Sequence, residues 1–106
     1  MLRNLLLILF SGFLLMSTQV SAKEFWIDVR TADEFNAGHL KAASHIPYEE
    51  IAARISEVTQ DKNDVIRLYC RSGRRSGVAM ETLQALGFKN AVNEGGYEDL
   101  VSKGFK

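Results

Sequence analysis

The chain has 106 residues, with 13 basic and 13 acidic side chains, a formal net charge of zero and one cysteine. That length allows a single domain, and the balanced charge excludes a general attraction to nucleic acid or to anionic membrane surfaces. One cysteine cannot form an internal disulfide, which is the usual support of small exported domains.

The amino-terminal segment has the pattern of a signal peptide. Arg3 supplies positive charge, residues 5–16 form an uncharged run of 12 residues, and Val20 and Ala22 give the small-x-small pattern that signal peptidase accepts. The alternative is a membrane anchor, but a spanning helix needs roughly 20 apolar residues. Because the run is shorter than that, cleavage after Ala22 is favoured.

Cleavage would leave a mature domain of 84 residues with a formal charge of −1, because Arg3 is removed. We predict a signal peptide over residues 1–22 and one folded domain over residues 23–106. We also predict a periplasmic location and no stable membrane association after cleavage. A domain of this size can fold alone, burying somewhat over ~60% of the surface that its unfolded chain exposes. We expect a monomer.

Downstream of the predicted signal peptide, strand-like apolar runs alternate with amphipathic stretches. Strands are predicted over residues 24–29, 42–46, 65–69 and 91–93. Helices are predicted over residues 32–36, 48–58, 76–86 and 97–102. This alternation is typical of an α/β domain, with a parallel sheet covered by helices on both faces and the most strand-like run, 65–69, at its centre. Ligands of such sheets bind beyond the carboxyl ends of the strands.

Two of the predicted helices carry further local signals. Thr31 and Glu34 have the spacing of a capping box, which starts the first helix. The helix over 76–86 is predicted to end at Gly87. One face of this helix should point inward, and it is formed by Ala79, Leu83 and Leu86.

The chemistry-bearing residues are concentrated between the central strand and the next helix, in the sequence Cys70-Arg71-Ser72-Gly73-Arg74-Arg75. Gly73 allows a tight turn that points backbone N–H groups inward, and these groups together with a helix N-terminus form a cradle for an anion. Neighbouring cations and a helix N-terminus lower the pKa of a cysteine thiol, so Cys70 is predicted to be a reactive thiolate. The alternative is a small buried side chain beside a solvated loop. It is disfavoured because the cysteine, three arginines and two glycines fall within eight residues.

This loop resembles the signature of the rhodanese family, Cys-x-x-Gly-x-Arg, at Cys70, Gly73 and Arg75. Three further segments resemble family motifs in the same order. They are the Asp-Val-Arg motif, the Gly-His-Ile…Ala…Ile-Pro stretch and the late Gly-Gly turn, at residues 26–30, 38–47 and 94–97. The resemblance covers nearly all of residues 24–104. With the predicted signal peptide, the chain is similar to the small periplasmic rhodaneses that consist of one domain.

The resemblance implies a thiosulfate sulfurtransferase. Cys70 would attack the outer sulfur of thiosulfate, release sulfite and hold the sulfur as a persulfide, which a thiophilic acceptor (cyanide, a thiol or a dithiol) then removes. The loop amides would stabilise the persulfide and the loop arginines would orient the donor. The binding residues implied in this way are Arg71, Ser72, Gly73, Arg74 and Arg75. If Arg75 contacts the donor, Arg75→Ala should raise the KM for thiosulfate.

Other polar residues are interpreted as structural support. Asp28 and Arg30 are expected to form a buried pair, because buried charges usually occur paired, and His39 is expected to hydrogen-bond the backbone. His39 and His45 are six residues apart with no further ligand close in sequence, which argues against a zinc site. No metal and no cofactor are expected.

Two features depart from the family pattern. Rhodanese domains usually have a strand and a helix before the Asp-Val-Arg motif, whereas the predicted mature chain starts almost on it. A tryptophan often follows the Gly-Gly pair, and Leu100 lies near that position here. These departures concern the edge of the sheet and the last helix.

Three alternatives remain at this stage. Cysteine-dependent phosphatases share the loop design but need an arginine six positions after the cysteine, where this chain has Ser76. A non-catalytic rhodanese-like binding module typically loses the cysteine or the loop glycine, and both are present here. A sulfur carrier or cyanide scavenger would keep the persulfide without being a dedicated thiosulfate enzyme.

Overall fold

The computed structural model describes residues 22–106. Four strands form one parallel sheet: β1 (Glu24–Asp28), β2 (Ala43–His45), β3 (Val65–Cys70) and β4 (Ala91–Gly96), in the order β2-β1-β3-β4. The helices are α1 (Ala32–Ala37), α2 (Ile51–Arg54), α3 (Arg74–Ala85) and α4 (Tyr97–Ser102). The predicted signal peptide lies outside the described residues except for its last residue. In the described part, no helix is long and apolar enough to cross a membrane.

Both faces of the sheet are covered, as predicted for an α/β domain. The larger core lies on the face covered by α2 and α3, and it contains Ile27, Ile51, Ile55, Ile66, Leu68, Cys70 and Leu83. The smaller core lies on the opposite face, where Leu40 and Leu100 pack against Tyr69. Leu100 of α4 is 2% exposed, so it closes this face near the position where the family often has tryptophan.

The prediction of one continuous helix over residues 48–58 is wrong in detail. A single α-helical segment, α2, lies between two 3₁₀ turns, Tyr48–Glu50 and Ile55–Glu57, and none of the three has a side-chain cap. Helix ends without side-chain caps often tighten into 3₁₀ turns, which explains why α2 is flanked by them. Ile51 and Ile55 are nevertheless buried as the periodicity predicted.

Two other predictions on α3 need correction. The helix begins at Arg74, two residues before the predicted start, because the left-handed Gly73 (φ 103°) already turns the chain into it. Leu86 is 44% exposed and does not enter the core, since the helix ends at Ala85 and Phe88 is buried instead. Gly87, with φ 103°, ends the helix as expected.

The last strand is longer than predicted and carries the Gly-Gly pair. Gly95 and Gly96 belong to β4 and pair with Tyr69 and Cys70, across an irregularity in the register between β3 and β4. Sequence alone indicated a turn here because glycine favours turns. The pairing partner β3 overrides that preference, and it places β4 directly beside the cysteine.

Candidate active site

The candidate active site is the loop that joins β3 to α3. Cys70 is the last residue of the central strand β3, and only residues 71–73 separate it from α3. Gly73 has a left-handed conformation that costs other residues strain, and it is the N-cap of the helix. The short loop therefore bends around the cysteine side chain, so that its backbone N–H groups point to the sulfur.

Several donors converge on the Cys70 sulfur, which is fully buried. The N–H of Gly73 donates to Sγ at 2.9 Å, and the Ser76 hydroxyl lies 3.3 Å from the same atom. The N–H groups of Ser72 and Ser76 also interact with the sulfur. A sulfur atom surrounded by donors favours its anionic form.

These hydrogen bonds shift the pKa of Cys70. Burial of the thiol raises its pKa, but the hydrogen bonds from the Ser76 side chain and from the N–H groups of Ser76, Gly73 and Ser72 outweigh burial. The net result is a pKa below the ordinary value of the thiol. The predicted thiolate is therefore favoured by donors fixed in the loop and at the start of α3. The sequence had indicated the helix N-terminus and the neighbouring arginines as the causes, but not the Ser76 hydroxyl.

Two site residues, Ser76 and Asn93, were missed by the sequence analysis. The Ser76 hydroxyl lies between the Cys70 sulfur and Oδ1 of Asn93, which is 2.7 Å away. The Asn93 side chain also donates to the carbonyl oxygen of Gly73 at 2.9 Å. Ser76 directly follows the loop motif and could have been suspected, but Asn93 is 17 residues further along and meets the loop only through strand pairing.

The close packing of β4 against the loop depends on Gly96. A Cβ atom added at Gly96 would overlap the carbonyl oxygen of Arg71. Since Gly96 has φ −106°, its role is to leave space rather than to adopt an unusual backbone conformation. The second glycine of the Gly-Gly pair therefore lets the loop lie against the sheet.

Arg75 bonds to α1 rather than pointing freely into solvent. Its two terminal nitrogens donate to the carboxylate of Glu34 at 2.8 and 3.1 Å. The Arg75 hydrogen bonds lower the pKa of Glu34 to about 2, with help from the N–H of Thr31 against the effect of burial. Glu34 also completes the predicted capping box with Thr31, which is confirmed. This pairing differs from the expectation that Arg75 faces the sulfur donor.

Arg71 lines an open cavity of about 330 Å³ beside the loop. Ser72 and Arg74 are also exposed, but they do not line this cavity. The cavity is also lined by Arg30, Glu34, Ala37, Gly38, Tyr97 and Glu98. Arg30 and Glu34 are already held by other partners. Among the described residues, neither Arg71 nor Arg74 has a side-chain hydrogen bond or ion pair, and of the two only Arg71 lines this cavity, where it is available to a bound anion.

Asp28 and Arg30 form a buried ion pair on the opposite face of the sheet. Nε and Nη2 of Arg30 donate to the Asp28 carboxylate at 2.6 to 3.0 Å, and Nη2 also donates to the carbonyl oxygen of Gly38 at 2.7 Å. The guanidinium lies over the ring of Tyr97, 4.5 Å from its centre. Burial raises the pKa of Tyr69, whose hydroxyl accepts the N–H of Leu40 at 3.0 Å.

The two histidines lie beside Phe35, away from the cysteine loop. Nδ1 of His39 is 2.8 Å from the carbonyl oxygen of Phe35, and its ring stacks on the phenyl ring at 3.6 Å. His45 stacks on the same ring and its Nε2 is 2.7 Å from the carbonyl oxygen of Arg30. Across residues 22–106, no three side chains of the metal-binding types are grouped as a metal site.

Comparison with known proteins agrees with this geometry. The model of the family described as Rhodanese-like domain matches residues 14–103. Thiosulfate sulfurtransferase PspE of Escherichia coli is 40% identical over 88 residues, which cover 83% of this chain and 85% of that protein. The putative sulfur carrier protein YrkF of Bacillus subtilis is 39% identical over 67 residues, which cover 63% of this chain but only 35% of YrkF.

A solved structure gives the same result for the fold. The structure described as rhodanese with anions from E. coli superposes with a TM-score of 0.69 at 41% identity, over 72% of this chain and 89% of that one. The predicted α/β rhodanese fold, and the prediction that the chain is an enzyme of the sulfurtransferase class, are confirmed. The chain belongs to the family of rhodanese-like domains.

Proposed function

We propose that this protein is a thiosulfate sulfurtransferase that carries the transferred sulfur as a persulfide on Cys70. One observation carries the proposal: the buried Cys70 sulfur accepts the N–H of Gly73 at 2.9 Å and lies 3.3 Å from the Ser76 hydroxyl. Donors fixed in place before the reaction stabilise a thiolate without reorganisation. The thiolate is the nucleophilic form of cysteine, and a lowered pKa increases its fraction at neutral pH.

In the first half-reaction, the Cys70 thiolate attacks the outer sulfur of thiosulfate. A new S–S bond forms to Sγ, the S–S bond of thiosulfate breaks, and sulfite leaves with the electron pair. The negative charge of the enzyme moves from Sγ to the outer sulfur. The N–H groups of the loop, among them that of Gly73, which already donates to Sγ, would hold its charge.

Donor recognition is assigned chiefly to Arg71. Thiosulfate is a dianion, and Arg71 places a guanidinium at the 330 Å³ cavity beside the loop. Arg74, which is exposed on the same helix terminus, adds positive potential that attracts the donor from solution. Arg75 is held by Glu34, so its role is to fix the start of α3 against α1.

In the second half-reaction, a thiophilic acceptor attacks the outer sulfur and Cys70 leaves as a thiolate. Cyanide, a thiol and a dithiol are all suitable nucleophiles. Thiosulfate is the substrate in the name of the E. coli relative PspE, and sulfur carriage is the function in the name of YrkF. Because sulfite leaves before the acceptor reacts, ping-pong kinetics are expected.

The phosphatase and binding-module alternatives have less support. The loop between β3 and α3 has only three residues and surrounds one sulfur atom. Ser76 occupies the position where a phosphatase needs arginine. A binding module has no use for a buried thiol whose sulfur is faced by the N–H of Gly73 and the Ser76 hydroxyl, and whose pKa is lowered by hydrogen bonding. We also propose export to the periplasm through residues 1–22, and a monomeric mature domain.

The test is the intact mass of the purified protein after brief treatment with thiosulfate and then with cyanide. The expected result is a gain of one sulfur atom that cyanide removes, and no gain in Cys70→Ser. Asn90→Ala, which alters a half-buried side chain that donates to the carbonyl oxygen of Asn63 outside the site, should gain sulfur normally. A folded protein without a sulfur adduct would favour the binding module, and steady hydrolysis of an aryl phosphate would favour the phosphatase.

A further inference from the structure

The Ser76 hydroxyl has one proton and two acceptors within reach. Its oxygen is 3.3 Å from the Cys70 sulfur and 2.7 Å from Oδ1 of Asn93. A hydroxyl donates one hydrogen bond at a time. Ser76 is fully buried, so water does not supply a third partner. The proton must therefore point either to the sulfur or to the amide oxygen.

The orientation of the Asn93 amide is fixed by two further hydrogen bonds. Its Oδ1 accepts the N–H of Gly95 at 3.0 Å, and its Nδ2 donates to the carbonyl oxygen of Gly73 at 2.9 Å. If the amide were rotated by half a turn, NH₂ would face N–H and oxygen would face oxygen. The side chain therefore presents an acceptor, and not a donor, to Ser76. Three hydrogen bonds on an exposed side chain indicate a specific role for it.

We propose that Asn93 is a positioning residue that competes with Cys70 for the hydroxyl proton of Ser76. While Cys70 is a neutral thiol, the Ser76 hydroxyl donates to Asn93, and its oxygen can accept a hydrogen bond from the thiol. When the sulfur becomes negative, the hydroxyl turns and donates to it, giving up the bond to Asn93. This inference rests on the proposed role of Cys70 as the nucleophile, and it adds a switch whose position follows the charge of Sγ.

The switch would change position in each half-reaction. When Cys70 bonds to the outer sulfur of thiosulfate, Sγ loses its negative charge to that outer sulfur, and the Ser76 proton returns to Asn93. When an acceptor takes the outer sulfur, Sγ leaves as a thiolate and Ser76 donates to it again. Ser76 therefore stabilises Cys70 most strongly as a leaving group, and Asn93 keeps the proton available while the persulfide exists.

The experiment measures the acid dissociation constant of Cys70 without any sulfur donor, in four proteins. These are the unchanged protein, Asn93→Ala, Ser76→Ala and the double variant. Because the chain has one cysteine, thiolate absorbance and the pH dependence of alkylation report Cys70 alone. Removing the competing acceptor should raise the dissociation constant about three- to tenfold when Ser76 is present, as expected for one hydrogen bond. The same change in the Ser76→Ala background should lack this increase.

The comparison of backgrounds separates the switch from a looser loop. Loss of the bond from Asn93 to Gly73 affects Cys70 equally with and without Ser76, so it cancels in the double-mutant cycle. The charged side chains facing this region, Arg75 of α3 and Glu34 of α1, are the same in all four proteins. Equal effects of Asn93→Ala in both backgrounds, or a decrease that depends on Ser76, would overturn the proposal.

Two additional variants complete the test. Asn93→Asp keeps the acceptor and strengthens it, so the dissociation constant of Cys70 should fall, and fall further with Ser76 present than in Ser76→Ala. This variant also keeps the proposal testable if Asn93→Ala does not fold. Asn90→Ala, the matched asparagine outside the site, should leave the constant unchanged. Since no thiosulfate is used, a failure of sulfur transfer is detected separately from a failure of the switch.

Discussion

Tyr69 and Cys70 are consecutive buried residues of β3, and they lead to two polar clusters of opposite character. Side chains of neighbouring residues in a strand point to opposite faces. Tyr69 faces the cluster of Asp28 and Arg30, which we call the ion-pair cluster. Cys70 faces Gly73 and Ser76, which form the sulfur cluster together with Asn93.

The two clusters differ in how their charges are balanced. In the ion-pair cluster, the carboxylate of Asp28 faces the guanidinium of Arg30, and the remaining guanidinium donor reaches the carbonyl oxygen of Gly38. In the sulfur cluster, neutral donors face one atom whose charge can change. Burial of a balanced pair fixes structure, whereas burial of unbalanced donors stabilises a reactive anion. We therefore expect mutations in the first cluster to affect stability and mutations in the second to affect chemistry.

The largest expected effect comes from breaking the ion-pair cluster. Arg30→Ala leaves the fully buried Asp28 carboxylate without its partner, which should lower the free energy of unfolding by about 3–5 kcal/mol. The measurement is urea unfolding followed by circular dichroism. The control is Arg54→Ala, which removes the exposed ion pairs with Glu50 and Glu57 and should cost much less, because solvent screens such pairs. Equal losses in the two variants would contradict the distinction.

A smaller effect on stability, with a clear effect on chemistry, is expected when the loop is displaced. Gly96→Ala introduces a Cβ that overlaps the carbonyl oxygen of Arg71, so strand or loop must move at a cost of about 1–3 kcal/mol. Sulfur transfer should fall at least about tenfold, because displaced donors no longer reach Sγ. The measurement is the rate of thiocyanate formation from thiosulfate and cyanide.

Gly104→Ala is the control for this variant. Gly104 has φ +101° and nothing within 4 Å of an added Cβ, so alanine there costs about 1–2 kcal/mol of backbone strain without touching the loop. Its transfer rate should match that of the unchanged protein. If Gly96→Ala also kept its full rate, the loop position would not depend on the close approach of β4.

The smallest expected effect distinguishes Arg71 from Arg75. Arg71→Ala should raise the KM for thiosulfate about tenfold with kcat within about twofold, because the donor loses one charge-assisted contact worth about 1.4 kcal/mol. Arg75→Ala should leave KM nearly unchanged and lower the free energy of unfolding by up to about 1 kcal/mol, through loss of the pair with Glu34. Steady-state kinetics and urea unfolding measure both. The reverse order of KM values would return the donor-binding role to Arg75.

Features that depend on neighbouring residues were predicted correctly, and features that depend on residues distant in sequence were not. The capping box of Thr31 and Glu34 and the end of α3 at Gly87 depend on neighbouring residues, and both are confirmed. Leu86 was wrongly assigned to the core because helical periodicity does not indicate where Phe88 packs after the helix ends. Gly95 and Gly96 were assigned to a turn because their pairing with β3 involves residues more than 20 positions away.

The sequence by itself determined the α/β class, the family and the position of the reactive cysteine at the end of the central strand. These depend on periodicity and on a motif in which Cys70 and Gly73 are three residues apart, whereas the reactivity of Cys70 is part of the proposed function. Only the tertiary structure decided which groups act on the sulfur and which arginine is available. Parallel pairing of β3 with β4 brings Asn93 to Ser76, and the ion pair of Glu34 with Arg75 joins α1 to the start of α3. Such contacts join residues 17 and 41 positions apart, so local sequence patterns carry no signal for them.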